Sequence, residues 1–168
     1  GIVLPHLCFA DKPGYRADGN CRACMVSIEG ERVLAASCIR KPTEGMKVIT
    51  NDERSTKSRK MVLELLVTDQ PDRETSHDPD SHFWNVASSV DVAKSRFDKR
   101  EKTIVPCEDA SHVAMSVNLD ACIHCNLCVR ACREVQVNDV IGMGNRGHHS
   151  KVIFCLLYTS DAADDRSC

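Results

Sequence analysis

The sequence predicts an α+β fold assembled from small modules, and three observations predict it. Short β-branched runs flank turn residues, one amphipathic stretch reads as a helix, and eight of the eleven cysteines fall into two tight groups. Aromatic residues make up only 4% of the 168 positions, so large ring-filled cores are not available to hold small modules together. Cysteine is the residue that can substitute for them.

Taken in order, the chain opens at Gly1-Ile2-Val3-Leu4, already inside an apolar stretch and without an initiator Met, so a missing N-terminal portion is expected. Met25 to Ile28 and Arg32 to Ala36 flank the Gly30-Glu31 turn and read as a hairpin. Met46 to Thr50 adds a third short strand. Thr50 and Glu53 stand at capping-box spacing and announce a helix that ends near Pro71. Met61, Val62, Leu65 and Leu66 are expected to form its packing face, and the basic stretch Arg54 to Lys60 a solvated one.

From Asp72 to Lys102 the chain turns polar, with Pro, Asp, Ser and His near its start, and predicts an irregular linker holding one short helix. Val113 to Val117, Val140 to Met143 and Lys151 to Phe154 read as short strands framing the second cysteine group. Cys155 to Cys168 changes character abruptly and resembles the translation of a transposase-type sequencing-library adapter. It is set aside from the fold and expected to be disordered, with Cys155 and Cys168 playing no biological part. The resulting division is 1–52, 53–105, 106–154 and 155–168.

A net charge of -2, from 22 basic and 24 acidic residues, offers no global field for nucleic acid or an anionic membrane. No secretory signal and no long apolar run is visible, so neither membrane insertion nor an oxidising compartment is expected. Clustered cysteines in a reducing cytoplasm indicate metal ligation rather than disulfides.

The second group, Cys122-x2-Cys125-x2-Cys128-x3-Cys132, has the spacing of the bacterial ferredoxin run for a 4Fe-4S cubane. Three thiolates at intervals of three let one tight loop wrap three corners of a cube, whereas zinc sites usually pair two separated CxxC units. In two-cluster ferredoxins the fourth cysteine serves the other cluster. On that logic Cys122, Cys125 and Cys128 hold one cube and Cys132 serves a second. The first group, Cys8-x12-Cys21-x2-Cys24-x13-Cys38, resembles the plant-type 2Fe-2S pattern with a longer first loop. Zinc is the alternative for it, and with zinc a stabilised interaction module rather than an electron carrier. Cys107 has no partner at ligand spacing, and His124 flanks the second site. His77 alone among the histidines invites a ligand role, and His148 and His149 belong to a turn between strands. Arg130 and Arg133, near the cubane run, are candidate tuning residues.

Several stretches carry a family resemblance: Pro5 to Cys8, Asp18-Gly-Asn-Cys-Arg-Ala-Cys24-Met-Val, Val33 to Cys38, Met61 to Leu66, Glu74-Thr-Ser-His-Asp-Pro-Asp-Ser-His-Phe-Trp84, and Val117 to Gly142. Across 1–154 the chain resembles the N-terminal region of the alpha, molybdopterin-containing subunit of cytoplasmic NAD-dependent formate dehydrogenase. The cysteine patterns also fit the electron-transfer subunits of complex I, hydrogenase diaphorase subunits and iron-only hydrogenases. Those relatives commonly carry a third cluster on His-x3-Cys-x2-Cys-x5-Cys. Here Ser81 and Trp84 stand where its first two cysteines would follow His77, and that wording favours the formate dehydrogenase branch.

The resemblance implies a truncated β-grasp 2Fe-2S ferredoxin-like module, a helical connector and half of a bacterial 4Fe-4S ferredoxin-like module. It implies an oxidoreductase fragment with no catalytic residue of its own. Electrons would come from a molybdopterin guanine dinucleotide centre with Mo or W in a missing C-terminal region. They would leave towards flavin- and NAD-binding diaphorase subunits. The alternative is an electron-transfer subunit of an NAD-linked hydrogenase or of complex I.

Overall fold

A computed structural model describes residues 1–99, 109–112 and 115–154. Cys107, Cys155, Cys168, the segment 155–168 and the first half of the strand expected at Val113 to Val117 lie outside or partly outside the described residues. Backbone contacts group the chain into two compact units. One contains Gly1–Phe9 and Ala17–Cys125, the other Ala10–Arg16 and the chain from Asn126. The sequence division at 52, 105 and 154 follows cofactor modules instead, and cuts the chain at other places.

In the first unit, β1 (Met25–Ile28) buries Val26 and Ile28 and leaves Met25 and Ser27 half-buried, the period of two that a strand with one packed face requires. It is the middle strand of three. β2 (Ala35–Ala36) and β3 (Val48–Ile49) pair with it antiparallel, with Met25 opposite Ala36 and Ser27 opposite Ile49. The expected hairpin therefore forms, with a shorter second arm. Arg32 leaves the ladder, and its carbonyl accepts from the Arg54 guanidinium at 2.7 Å.

Helix α1 (Glu53–Thr68) begins two residues later than the capping-box reading placed it: Asp52, not Thr50, is the cap. The Asp52 carboxylate accepts from the Ser55 amide at 3.2 Å and from the Ser27 hydroxyl at 2.9 Å, so one side chain closes the helix end and ties it to β1. The packing face also differs from the one expected. Ser55, Arg59, Leu63 and Val67, each four residues apart, are buried, while Leu65 is 51% exposed. Val62 and Leu66 only flank the core. A run of apolar residues marks a helix, but its face is set by the neighbour it meets, here β1. The basic stretch is likewise not wholly solvated. Arg59 is buried and donates to the Met25 carbonyl at 2.8 Å.

Helix α2 (His82–Ser89) is the short helix expected in the linker. Ser81 caps it, and Phe83, Trp84, Val86 and Ala87 turn inward. They join Leu7, Ala23, Leu63, Val67 and Val92 in one core. A hairpin, β4 (Asp109–His112) with β5 (Met115–Val117), completes this unit. In the second unit, α3 (Leu127–Arg130) widens into a looser turn over Ala131–Val135, in which the Gln136 amide reaches back to the Ala131 carbonyl at 2.9 Å. The strands β6 (Ile141–Gly144) and β7 (Lys151–Phe154) follow as an antiparallel hairpin, as the sequence suggests, with Gly147–His149 turning between them. At Gly144 an added Cβ would meet the Ile153 side chain at 2.8 Å, so a larger residue there would require that side chain to shift.

Candidate metal centre

Strand register brings the first cysteine group together. Because Met25 lies opposite Ala36, Cys24 falls opposite Ser37, whose amide donates to the Cys24 carbonyl at 3.2 Å. Cys38 follows directly and shares a hydrogen bond with the Cys24 thiol. On the other side the Cys21 amide donates to Cys8 Sγ at 3.3 Å, and the two thiols interact. The four cysteines are thus gathered as two pairs, Cys8 with Cys21 and Cys24 with Cys38. Cys8 also acts electrostatically on Cys38.

The floor of this site is the core itself. Leu7, next to Cys8, is 2% exposed, and Ala23, between Cys21 and Cys24, is fully buried. Cys8 and Cys24 are buried, while Cys21 and Cys38 are half-buried. Burial, before any other influence, pushes the Cys38 thiol up to about 12 and raises that of Cys8, because a thiolate is costly away from water. Neighbouring thiols push the same way. Backbone amides of Gly19 and Asn20 act in the opposite direction, by donating to the sulfurs of Cys38 and Cys8.

Gly19 is the tight point of the loop. Its φ of +62° and an approach of 2.8 Å between an added Cβ and the Ile39 side chain favour glycine there. Arg22, with φ 59°, is a second left-handed residue between Cys21 and Cys24. Turns of this kind aim successive amides inward and are common around anionic centres, iron-sulfur sites included. Four thiols in two pairs, with amides aimed at sulfur and a dry floor beneath, fit a sulfur-ligated cluster.

In the first unit Cys122 and Cys125 are half-buried, the Gln70 side chain donates to the Cys122 carbonyl at 3.3 Å, and Asn20 donates to the His124 carbonyl at 3.0 Å. In the second unit Cys128 is exposed and Cys132 is buried, with the Val140 amide donating to its sulfur at 3.3 Å. His124 and Asn126, on either side of Cys125, have φ of 52° and 62°. Such backbone is uncommon for residues other than glycine and often marks functional turns.

Among the described residues no group of three or more His, Cys, Asp or Glu closes on a single metal ion. The stretch after His77 has structural employment instead. Ser81 accepts from the Trp84 amide at the start of α2, and Trp84 is 3% exposed in the core. His77 and His149 are both exposed. Asn20, which the sequence offers with Gly14 and Gly19 as a source of loop flexibility, instead bonds the His124 carbonyl, and Gln70, which carries no signal in the sequence, holds the Cys122 carbonyl, both within the first unit. No described helix is long and apolar enough to cross a membrane.

Residues 1–53 match the family model described as a 2Fe-2S iron-sulfur cluster binding domain. Over 151 residues the chain is 30% identical to the NADP-reducing hydrogenase subunit HndD of Solidesulfovibrio fructosivorans, spanning 87% of this chain and 26% of that protein. It is 28% identical over 158 residues to the mitochondrial NADH-ubiquinone oxidoreductase 78 kDa subunit of Candida albicans, spanning 90% of this chain and 21% of that one. A chain in the crystal structure of an NAD+-reducing NiFe-hydrogenase in the H2-reduced state superposes with a TM-score of 0.75 at 27% identity, covering 90% of this chain and 63% of that one. The chain therefore spans about a quarter of the length of these curated relatives, or less. Residues 1–53 are thus similar to 2Fe-2S iron-sulfur cluster binding domains, in a chain similar to hydrogenase and NADH-ubiquinone oxidoreductase subunits.

Proposed function

We propose that this chain is an iron-sulfur electron-transfer segment of an NAD-linked oxidoreductase complex, of the hydrogenase or NADH-ubiquinone oxidoreductase kind. The observation that carries the reading is the gathering of Cys8, Cys21, Cys24 and Cys38 into two pairs, with Cys8 acting electrostatically on Cys38 and Asn20 bonded directly to the Cys122-to-Cys125 loop. The first four cysteines hold a 2Fe-2S cluster. Cys122, Cys125 and Cys128 hold a 4Fe-4S cubane, and Cys132 serves a second cluster, as the spacing of the run suggests. Such clusters supply one-electron exchange with little change of geometry.

The chain's own residues do the rest. Leu7 and Ala23 exclude water from beneath the first site, the amides of Cys21 and Val140 donate to Cys8 and Cys132, and left-handed backbone at Arg22, His124 and Asn126 turns the chain sharply beside the cysteines. The reading carries with it flavin- and NAD-binding partner subunits, a reducing cytoplasmic compartment, and neither nucleic acid nor membrane insertion.

A second reading is the formate dehydrogenase alpha subunit, with molybdopterin guanine dinucleotide and Mo or W elsewhere in the longer protein. The stretch Glu74 to Trp84 favours it. The named relatives favour the hydrogenase and NADH-ubiquinone oxidoreductase alternative, which therefore leads. Anaerobic reconstitution with iron and sulfide, followed by metal analysis and electron paramagnetic resonance, tests both. Iron with acid-labile sulfide and two distinct reduced signals is expected, whereas zinc without sulfide sinks both. Sequencing the gene beyond Phe154 separates the two readings, since only the second requires a molybdopterin domain.

A further inference from the structure

Arg130 is the largest of the almost completely buried side chains, with 2% of its surface exposed. A guanidinium keeps its charge at any working pH, so burying it demands acceptors or a ring face. Its Nη1 donates to the Arg16 carbonyl at 2.6 Å, and its guanidinium carbon lies 5.8 Å from the centre of the Tyr15 ring. The Tyr15 hydroxyl in turn donates to the Leu127 carbonyl at 3.3 Å, and Arg16 pairs with Glu134 at 3.4 Å.

These contacts hold Tyr15 and Arg16, the end of the segment Ala10–Arg16, against the helix and turn that carry Cys128 and Cys132, and the whole segment belongs to the same compact unit as that helix. In the sequence the same segment is the middle of the bridge between Cys8 and Cys21. With its end clamped at Tyr15 and Arg16, the bridge is divided into two shorter stretches, one on each side of the clamp. A shorter free chain has less entropy to lose when its ends are brought together.

We propose that Arg130 is a positioning residue for the 2Fe-2S ligands Cys8 and Cys21, acting through the Arg16 carbonyl and the Tyr15 ring. The inference rests on the reading that these two cysteines hold a 2Fe-2S cluster. One arginine in the second cysteine run thereby sets how firmly a ligand pair of the first is held.

The test uses the full chain, loaded anaerobically with iron and sulfide, as wild type, Arg130→Lys, Arg130→Met, Tyr15→Ala and the Met/Ala double variant. Two rates are read: loss of the 2Fe-2S resonance signal to a ferrous chelator, and tryptic cleavage at Arg16–Ala17. Arg130→Met and Tyr15→Ala each raise both rates, the first by about tenfold for its lost charge-assisted hydrogen bond and the second by about two- to fivefold for the lost ring face. Arg130→Lys falls between, and the double variant adds little to Arg130→Met, since both remove one clamp. A wild-type chain that forms no 2Fe-2S centre overturns the inference together with the reading beneath it. A wild type with the centre, but variants with unchanged rates, overturns the positioning role alone. If Arg130→Met does not fold, Tyr15→Ala decides, because it leaves the cysteine run intact. Cleavage accelerated evenly along the chain signals general unfolding and also overturns the role.

Discussion

Asn20 Nδ2 donates to the His124 carbonyl at 3.0 Å, joining positions 104 residues apart in the chain. Asn20 directly precedes Cys21, and His124 lies between Cys122 and Cys125, so one hydrogen bond links the loops of both cysteine groups. Replacing Asn20 by Ala is expected to cost about 0.5–1.5 kcal/mol, the usual net worth of such a bond. Asn20→Asp should cost as much, because a carboxylate offers the carbonyl no proton. Urea unfolding of the three proteins checks this, and an Asp variant as stable as wild type contradicts it.

The raised thiols make the metal-free chain sensitive to alkali. A group whose folded pKa lies above its unfolded value stabilises the fold below the unfolded pKa and loses that contribution as pH climbs through the folded one. For Cys38, whose ordinary value is 9.0 and whose folded value is about 12, the window is that interval. The melting temperature of the metal-free chain should fall across it, and less steeply in Cys38→Ser. Metal binding must expel these protons, so reconstitution should tighten with rising pH and release acid, measurable by pH-stat titration.

Asp52 has the opposite sign. Its hydrogen bond with Ser55, assisted by Ser27, holds its carboxyl below the ordinary 3.8. Its contribution is present above that ordinary value and is lost as pH falls through the lowered one. Acid titration of helix content by circular dichroism should therefore show less loss in Asp52→Asn, whose cap carries no titrating charge. An identical acid limb in both proteins would remove Asp52 from the account.

Leu63 and Leu65 are neighbours in α1 with opposite surroundings, fully buried and 51% exposed. Leu63→Ala should cost about 2–5 kcal/mol by opening a cavity in the core. Leu65→Ala should stay within about 0.5 kcal/mol. Chemical denaturation of both variants measures the contrast, and equal losses would mean the helix face has been assigned wrongly.

The cysteine groups, the first hairpin, the helix and the hairpin after the second group were all legible from spacing and turn residues. Three features were not. Thr50 looked like the cap because it stands three residues before Glu53, yet Asp52 takes the position because it also reaches Ser27 on β1. Leu65 looked like core, yet the buried stripe of α1 runs through Leu63 and Val67, which pack with Leu7, Ala23 and the α2 residues. Arg59 looked solvated, yet its stem lies buried and its head bonds the Met25 carbonyl.

The chemistry of the ligands is a local property. Covalent geometry sets how far apart two thiols can be across Cys21-Arg-Ala-Cys24 or Cys122-Ile-His-Cys125, so the chain alone declares that these residues can share a sulfur-ligated centre. Pairing is not local. Cys8 meets Cys21, and Cys38 meets Cys24, only through strand register and a dry floor built from Leu7, Ala23 and Leu63. Nor does anything near Arg130 in sequence reveal that it grips the bridge between Cys8 and Cys21. Such contacts join residues far apart along the chain, and their partners exist only once burial and hydrogen bonding have selected one folded arrangement.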